Sequence, residues 1–115
     1  MILGFIGTGK ISSSIIYGIF NSKLKVNKIY ISSRNRNIAK KLAKKFREVK
    51  ILKNNQEIID KSSTIILGVT PNVGNKILPR LKFLKSKRII SLISTIDLKK
   101  IKKITKNKNI VRAIP

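Results

Sequence analysis

The sequence predicts an α/β domain built on a doubly wound parallel sheet of six strands. Three observations predict this fold class. Short apolar segments alternate with amphipathic segments along the chain, a glycine-rich turn follows the first apolar segment, and residues 64–69 form a continuous apolar run. Such a run is typical of a parallel strand that is buried on both faces. We therefore expect a single domain over residues 1–115, with helices on both faces of the sheet and strand order 3-2-1-4-5-6.

The first half of the chain contains three strand–helix pairs. Ile11 and Ile15 recur at helical spacing after the glycine turn, and Asn35 stands where it can cap the second helix. The third helix starts at Asn54 or Asn55, since either amide side chain is a good N-cap. The predicted strands are 2–6, 28–32 and 49–52, and the predicted helices are 10–21, 36–46 and about 54–61.

The second half of the chain repeats the alternation. The strand at 64–69 ends at the Thr-Pro-Asn sequence of 70–72. A helix then runs towards Leu84 and is kinked near Pro79, because proline cannot donate a backbone hydrogen bond. The remaining predicted elements are a strand at 88–93, a short basic helix at about 97–103 and a strand at 110–114.

The turn after the first strand has the spacing of a dinucleotide-binding loop. Residues 4–12 read Gly-Phe-Ile-Gly-Thr-Gly-Lys-Ile-Ser. Gly7 permits a tight turn, Gly9 lets the backbone approach a pyrophosphate, and Ser12 is small enough for close packing of helix against strand. The first N–H groups of the helix then point at the anion, and the helix dipole favours negative charge there.

A P-loop is the competing interpretation, because Gly4 to Lys10 also fits Gly-x-x-x-x-Gly-Lys. That motif needs Ser or Thr as the next residue to hold Mg²⁺, whereas this chain has Ile11. Phe5 and Ile6 complete an apolar strand instead of forming part of a loop. A nucleotide hydrolase also needs an acidic residue at the end of a buried strand, and the four acidic residues lie elsewhere. The sequence therefore disfavours a P-loop.

The end of the second strand predicts which dinucleotide binds. An NAD-preferring site has an acidic residue there, whereas this chain has Ser-Ser-Arg-Asn-Arg at 32–36. Ser33, Arg34 and Asn35 are donors suited to a 2′-phosphate, so we expect the cofactor to be NADPH. The alternative is that the arginines are only solvated loop residues of a basic protein. Lys10 either lies over the pyrophosphate or points into water.

The net charge of +23 is the feature that would indicate a nucleic-acid partner. Lysine supplies 21 of the 27 basic residues, and lysine, isoleucine and asparagine together make up 54 of the 115 residues. All three have A/T-rich codons, so a biased genome gives this composition to almost any protein. Because the lysines are scattered and aromatic residues are few, the sequence disfavours nucleic-acid binding. A broadly positive field still attracts anionic ligands.

Several classes of function are disfavoured by residue types that the chain lacks. Without cysteine there are no disulfides or thiolate metal sites, and without histidine the commonest general base and metal ligand is missing. No basic leader precedes Ile2, and the apolar runs are short. We therefore expect no metal site, no signal peptide, no membrane span and a cytoplasmic location.

Five segments occur in an order and at a spacing that are typical of one family. They are Gly-Phe-Ile-Gly-Thr-Gly at 4–9, Ser-Ser-Arg-Asn at 32–35, Asn-Gln-Glu at 55–57, Ile-Leu-Gly-Val-Thr-Pro at 66–71 and Val-Arg-Ala-Ile-Pro at 111–115. With these segments the chain resembles the N-terminal NADP-binding domain of pyrroline-5-carboxylate reductases over essentially its whole length. The resemblance implies a Rossmann-like fold and NADPH-dependent reduction of a cyclic imine in proline biosynthesis.

The resemblance also implies roles for individual residues. Ser33 and Arg34 would meet the adenosine phosphate, and Asn55 would contact the adenosine portion. The family usually has lysine where this chain has Thr70, Asn or Gln where it has Lys10, and Ala-Ala-Gly where it has Ile-Ser-Thr at 93–95. These departures lie near the nicotinamide end, so the exact substrate stays open. The residues implied for the pyrophosphate are Ile6, Gly7, Thr8, Gly9, Lys10 and Ile11, and those implied for the path to the nicotinamide are Gly68, Val69, Thr70 and Pro71.

The helical C-terminal domain that carries most of the substrate site and the dimer interface in these reductases is absent from the 115 residues. We therefore expect a cofactor half that needs further structure to hold a small imine substrate or to oligomerise, and we predict no catalytic residue. Two alternatives remain. One is the cofactor domain of another NADP oxidoreductase, of the type that uses a deazaflavin coenzyme. The other is a basic module that binds nucleotides or nucleic acid without catalysis.

Overall fold

The computed structural model describes residues 1–113 and contains one six-stranded sheet. The strands in chain order are β1 (Ile2–Ile6), β2 (Lys28–Ser32), β3 (Val49–Leu52), β4 (Thr64–Leu67), β5 (Arg88–Ser91) and β6 (Ile110–Arg112). Their order in the sheet is β3-β2-β1-β4-β5-β6, and each neighbouring pair is parallel. The predicted order is therefore confirmed. Because all strands run the same way, their carboxyl ends lie along one edge of the sheet.

Helices cover both faces of the sheet, as a doubly wound fold requires. They are α1 (Lys10–Phe20), α2 (Arg36–Lys45), α3 (Asn55–Lys61), α4 (Pro71–Ile77) and α5 (Leu98–Thr105), and a 3₁₀ turn at Leu78–Arg80 follows α4. On one face, Ile16 of α1 and Leu42 of α2 pack with Phe5 of β1. On the other face, Ile58 of α3 and Ile101 of α5 belong to the cluster that contains the β-strand residues Ile65, Leu67 and Ile89.

The two middle strands explain why the apolar run in the sequence is continuous. All four residues of β4 are buried, and Ile65 and Leu67 point to the opposite face from Ile66. In β1, Phe5 and Ile6 are both fully buried and belong to the two different clusters. A strand that is covered on both sides needs apolar residues at every position, which is the pattern in the sequence.

Several elements end at other residues than predicted. The fourth strand ends at Leu67 and not at 69, and the N–H of the following Gly68 makes a last hydrogen bond to β1, to the carbonyl of Ile6 at 2.8 Å. The fifth strand ends at Ser91 and not at 93, where the Ser91 hydroxyl accepts a hydrogen bond from the N–H of Ile93.

The helix after the fourth strand is shorter than predicted, and the last helix is longer. The α-helix stops at Ile77, and the chain continues only as a 3₁₀ turn that contains Pro79, so the predicted helix towards Leu84 is wrong. The last helix runs to Thr105 instead of 103. The sixth strand is described to Arg112, and its predicted end at Ile114 lies outside the described residues.

The last helix has a side-chain cap that accounts for its start. The carboxylate of Asp97 accepts a hydrogen bond from the N–H of Lys100 at 2.8 Å. We expect Asp97→Ala to lower the free energy of unfolding by about 1 kcal/mol, the usual loss for an N-cap. Denaturant unfolding of the two proteins measures this difference. Asp97→Asn is the control, because an amide oxygen can accept the same hydrogen bond, and an equal loss in both variants would contradict the capping role.

Within residues 1–113, no helix is long and apolar enough to cross a membrane. The same residues contain no group of three or more acidic, histidine or cysteine side chains that could hold a metal ion.

Candidate functional site

A continuous groove runs along the edge of the sheet where the parallel strands end. Its centre is a cavity of about 500 Å³ between the turn after β1, the segment 34–37 and the segment 68–70. A branch of about 270 Å³ extends past the ends of β2 and β3, and a second branch of about 380 Å³ extends past the start of α1. Both branches share lining residues with the centre, so we treat the three together as the carboxyl-end groove. In open α/β sheets this edge is where ligands bind.

Gly7 makes the turn at the centre of the groove. Its φ is +99°, a conformation that residues with a Cβ rarely adopt. A Cβ at this position would also overlap the backbone carbonyl of Gly68. The predicted tight turn at Gly7 is therefore present, and glycine is needed both for the conformation and for the close approach of β1 and β4.

The start of α1 offers free backbone donors to the groove. Gly9 is the N-cap residue and has no side chain, so no side-chain cap covers the first turn of the helix. The first N–H groups of a helix have no partner within the helix, and they carry the positive end of the helix dipole. A Cβ built on Gly9 would meet no atom within 4 Å, so the space in front of it is open. This arrangement can bind an anion.

Ser12 lies beneath the glycine turn, where close packing was predicted. The residue is 1% exposed, and a Cβ on Gly68 would overlap its hydroxyl. Its Oγ is buried and has no hydrogen-bond partner among the described residues. The small side chain therefore lets the first turn of α1 approach the end of β4, as the sequence indicated.

The turn is tied to the end of β2 by a buried side chain. The hydroxyl of Thr8 donates a hydrogen bond to the carbonyl of Ser32 at 3.2 Å and lies 3.1 Å from the Ser32 hydroxyl. Thr8 is only 5% exposed. This contact fixes the distance between the glycine turn and the loop that follows β2, which are the two walls of the groove.

The loop after β2 supplies the basic wall. Ser33, Arg34, Asn35 and Arg36 are all exposed. Asn35 occupies the N-cap position of α2, as predicted, but its side chain makes no capping hydrogen bond, so its amide is available to a ligand. No acidic residue lines any part of the groove. The groove is therefore suited to phosphate and unsuited to a ribose that needs a carboxylate partner.

The branch past β3 resolves the ambiguity about the cap of α3. The Asn54 side chain accepts a hydrogen bond from the N–H of Glu57 at 2.9 Å, and the helix begins at Asn55. Asn54 is therefore the cap, and Asn55 is a half-buried residue that lines the groove. The structure thereby removes the alternative that Asn55 serves only as a helix cap.

The opposite branch contains the residues at the end of β4. Thr70 caps α4 by accepting a hydrogen bond from the N–H of Val73, and Pro71 is the first residue of that helix. The side chains of Ile11, which is 51% exposed, and Leu92 give this branch an apolar floor. The groove therefore has a basic end and an apolar end, with the glycine turn between them.

The structure brings together 13 of the 14 residues that were predicted for the site. Ile6 is the exception, because its side chain is fully buried in the core and only its carbonyl reaches the turn. Lys53 also lines the groove and was not predicted from the sequence. The predicted strand order could have indicated it, because β3 lies beside β2 and Lys53 directly follows β3. The predicted residues that line the groove are Gly7, Thr8, Gly9, Lys10, Ile11, Ser33, Arg34, Asn35, Asn55, Gly68, Val69, Thr70 and Pro71, and the other missed residues are Asn37, Val73, Ile77 and Leu92.

Comparisons with known proteins agree with the fold. A pyrroline-5-carboxylate reductase of Glycine max is 27% identical over 98% of this chain and 42% of its own length. The structure of 1-pyrroline-5-carboxylate reductase from Streptococcus pyogenes has a TM-score of 0.81 and 28% identity, over 100% of this chain and 42% of that one. The structure of a Plasmodium falciparum pyrroline carboxylate reductase with NADP bound has a TM-score of 0.79 and 24% identity, with the same coverage, and shows the shared fold.

The chain therefore spans less than half the length of these relatives. The predicted resemblance to the cofactor domain of pyrroline-5-carboxylate reductases is confirmed. Residues 2–95, most of the chain, match the family described as NADP oxidoreductase, coenzyme F420-dependent. The carboxyl-end groove thus belongs to an NAD(P)-binding oxidoreductase domain, and the chain is a member of this NADP oxidoreductase family.

Proposed function

We propose that this chain is the NADPH-binding half of a reductase that acts on a cyclic imine, as in the pyrroline-5-carboxylate reductases. One observation carries the proposal. The Gly7 turn and the uncapped start of α1 open into the same groove as the basic, carboxylate-free loop at 33–36. Linked phosphates need several N–H donors at one point, and a 2′-phosphate needs positive charge without a competing acid. The groove offers both.

The residues of the groove divide among three parts of the cofactor. The backbone from Gly7 to Ile11 would hold the pyrophosphate, because the free N–H groups of the first turn of α1 lie there. Ser33, Arg34 and Asn35 would hold the 2′-phosphate, and Asn55 would lie against the adenosine. The segment 68–71 would line the path to the nicotinamide. When bound, NADPH supplies the hydride, and the protein positions it.

The groove gives no complete substrate site. Its lining contains no carboxylate, histidine or cysteine, and its apolar end is formed by only a few side chains around Ile11 and Leu92. We propose that the imine is held by structure outside the described residues, and that oligomers also form through that structure.

A second candidate function rests on the family match at residues 2–95. In this alternative the same groove binds NADP, and the hydride is exchanged with a deazaflavin coenzyme instead of an imine. Both candidates need the same cofactor contacts in this chain. The two candidates are distinguished by measuring NADPH oxidation by a protein that contains this chain and a complete substrate site, first with a cyclic imine and then with a deazaflavin coenzyme as the acceptor.

Charge reversal at Arg34 tests the cofactor preference. We expect Arg34→Asp to weaken NADPH binding by at least about a hundredfold, because it removes a charge-assisted hydrogen bond and adds repulsion. NADH has no 2′-phosphate, so we expect its affinity to change much less. Fluorescence titration of the purified chain with each nucleotide measures both constants.

The matched control for this test is Arg47→Asp. Arg47 is also exposed, lies outside the groove, and carries the same change of charge. At about 0.15 M salt, charges more than about 8 Å from the ligand are largely screened, so NADPH affinity should change little. Equal losses of NADPH and NADH affinity in Arg34→Asp would show that Arg34 does not contact the 2′-phosphate.

A further inference from the structure

We infer that Lys53 is a second cation of the 2′-phosphate site and that, with Arg34, it sets the preference for NADPH over NADH. The inference rests on the function proposed above and adds a residue that no motif of the sequence marks. Lys53 follows β3, twenty positions after Ser33. Four features of the structure lead to it: the register of β2 and β3, the shape of the groove, the contacts of the neighbouring residues, and the charge.

The register of the two strands places Lys53 beside the phosphate-binding loop. Ser32 pairs with Leu52 in the parallel ladder of β2 and β3, and both strands end at this pair. Neighbouring strands are about 4.8 Å apart. The residues that follow them, Ser33 and Lys53, therefore leave the sheet side by side and at the same level.

The basic branch of the groove is lined by both segments. It is a cavity of about 270 Å³ with Ser33 and Arg34 on one wall and Lys53, Asn54 and Asn55 on the other. Its remaining lining residues are uncharged, and no carboxylate is among them. A phosphate monoester in this branch would therefore meet a guanidinium on one side and an ammonium on the other.

The neighbours of Lys53 are already engaged or uncharged. The Asn54 side chain is used by the Glu57 N–H as a helix cap. Asn55 is neutral and half-buried. Lys53 is exposed, so its flexible side chain can turn towards an anion in the branch without leaving a buried contact. Lys53 is therefore the residue on this wall that can supply positive charge.

The charge of the 2′-phosphate is balanced better by two cations than by one. A phosphate monoester carries a charge between about −1.5 and −2 near pH 7. Arginine binds such a group through a planar fork, whereas lysine acts as a compact point charge on a long stem. Arg34 and Lys53, on opposite walls, can therefore contact different oxygens of one phosphate.

The test compares Lys53→Gln with Lys50→Gln in the full 115-residue chain. Lys50 is an exposed residue of β3, pairs with Tyr30, and lies three positions before Lys53, about 10 Å away. The probes are NADPH, NADH and adenosine 2′,5′-bisphosphate, which carries the same 2′-phosphate without the nicotinamide. We expect Lys53→Gln to weaken NADPH and the bisphosphate by about tenfold and NADH by less than about twofold. Lys50→Gln should leave all three nearly unchanged.

The outcomes separate this inference from the proposed function. If the unsubstituted chain binds NADPH and Lys53→Gln weakens NADPH and NADH equally, the role of Lys53 is wrong and the proposed function stands. If Lys50→Gln has the same effect as Lys53→Gln, the loss comes from general charge and the inference is also wrong. If the unsubstituted chain binds none of the three probes, the proposed function fails and the inference falls with it.

Discussion

Gly7→Ala is expected to destabilise the chain and to abolish measurable NADPH binding. The φ of +99° is costly for alanine, and the added Cβ would overlap the carbonyl of Gly68. Strain of this kind and overpacking each cost roughly 1–3 kcal/mol. We expect the free energy of unfolding to fall by about 3 kcal/mol. Thermal or denaturant unfolding measures the stability, and fluorescence titration at a temperature where the variant is folded measures binding.

Gly9→Ala is the matched variant for the same turn. A Cβ on Gly9 would contact no protein atom, so the free energy of unfolding should change by less than about 1 kcal/mol. The methyl group would instead occupy open space in the groove, where the proposed pyrophosphate lies. We expect NADPH affinity to fall by at least about tenfold. Unchanged affinity in Gly9→Ala would place the pyrophosphate elsewhere.

Anionic ligands of the groove are expected to stabilise this chain strongly. The chain carries 27 basic and four acidic residues, so side-chain carboxylates can neutralise at most four of its positive charges. Repulsion among the remaining charges opposes the compact state. A ligand at a hundred times its dissociation constant adds about 2.7 kcal/mol of stability. For a domain of this length, that corresponds to a rise in melting temperature of about 10 °C.

The measurement is thermal unfolding with and without NADPH at constant ionic strength. Sodium chloride at matched ionic strength is the control, because general screening of the charge acts through any salt. We expect NADPH to raise the melting temperature well above this control and NADH to raise it less. An unchanged melting temperature with millimolar NADPH would contradict the proposed cofactor.

The fold of this chain could be predicted because its strongest signals are local. The apolar run of β4 marks a central strand, and the glycine turn after β1 marks the first crossover, so strand order followed from general rules of doubly wound sheets. The ends of elements were less predictable. Gly68 follows the end of β4 and lies beside Ser12, so close that a Cβ on Gly68 would overlap the Ser12 hydroxyl, and these two residues are far apart in the sequence.

The residues of the candidate site that belong to a continuous sequence motif could be predicted, and the others could not. The glycine turn and the Ser-Ser-Arg-Asn segment form continuous stretches, and both line the groove. Lys53 belongs to no such stretch, and it becomes visible only through the pairing of Ser32 with Leu52. The choice between Asn54 and Asn55 as helix cap likewise depended on one hydrogen bond, to the N–H of Glu57, which no propensity scale resolves.

The parallel sheet has a consequence for how the chain folds. Its central pair joins β1 to β4, and contacts such as that between Ile2 and Ser63 connect residues 61 positions apart. Chains dominated by such distant pairings fold slowly and expose apolar strands while they do so. Mutual repulsion between molecules of charge +23 opposes association during that interval. The lysines that destabilise the folded chain therefore also oppose aggregation of the partly folded chain.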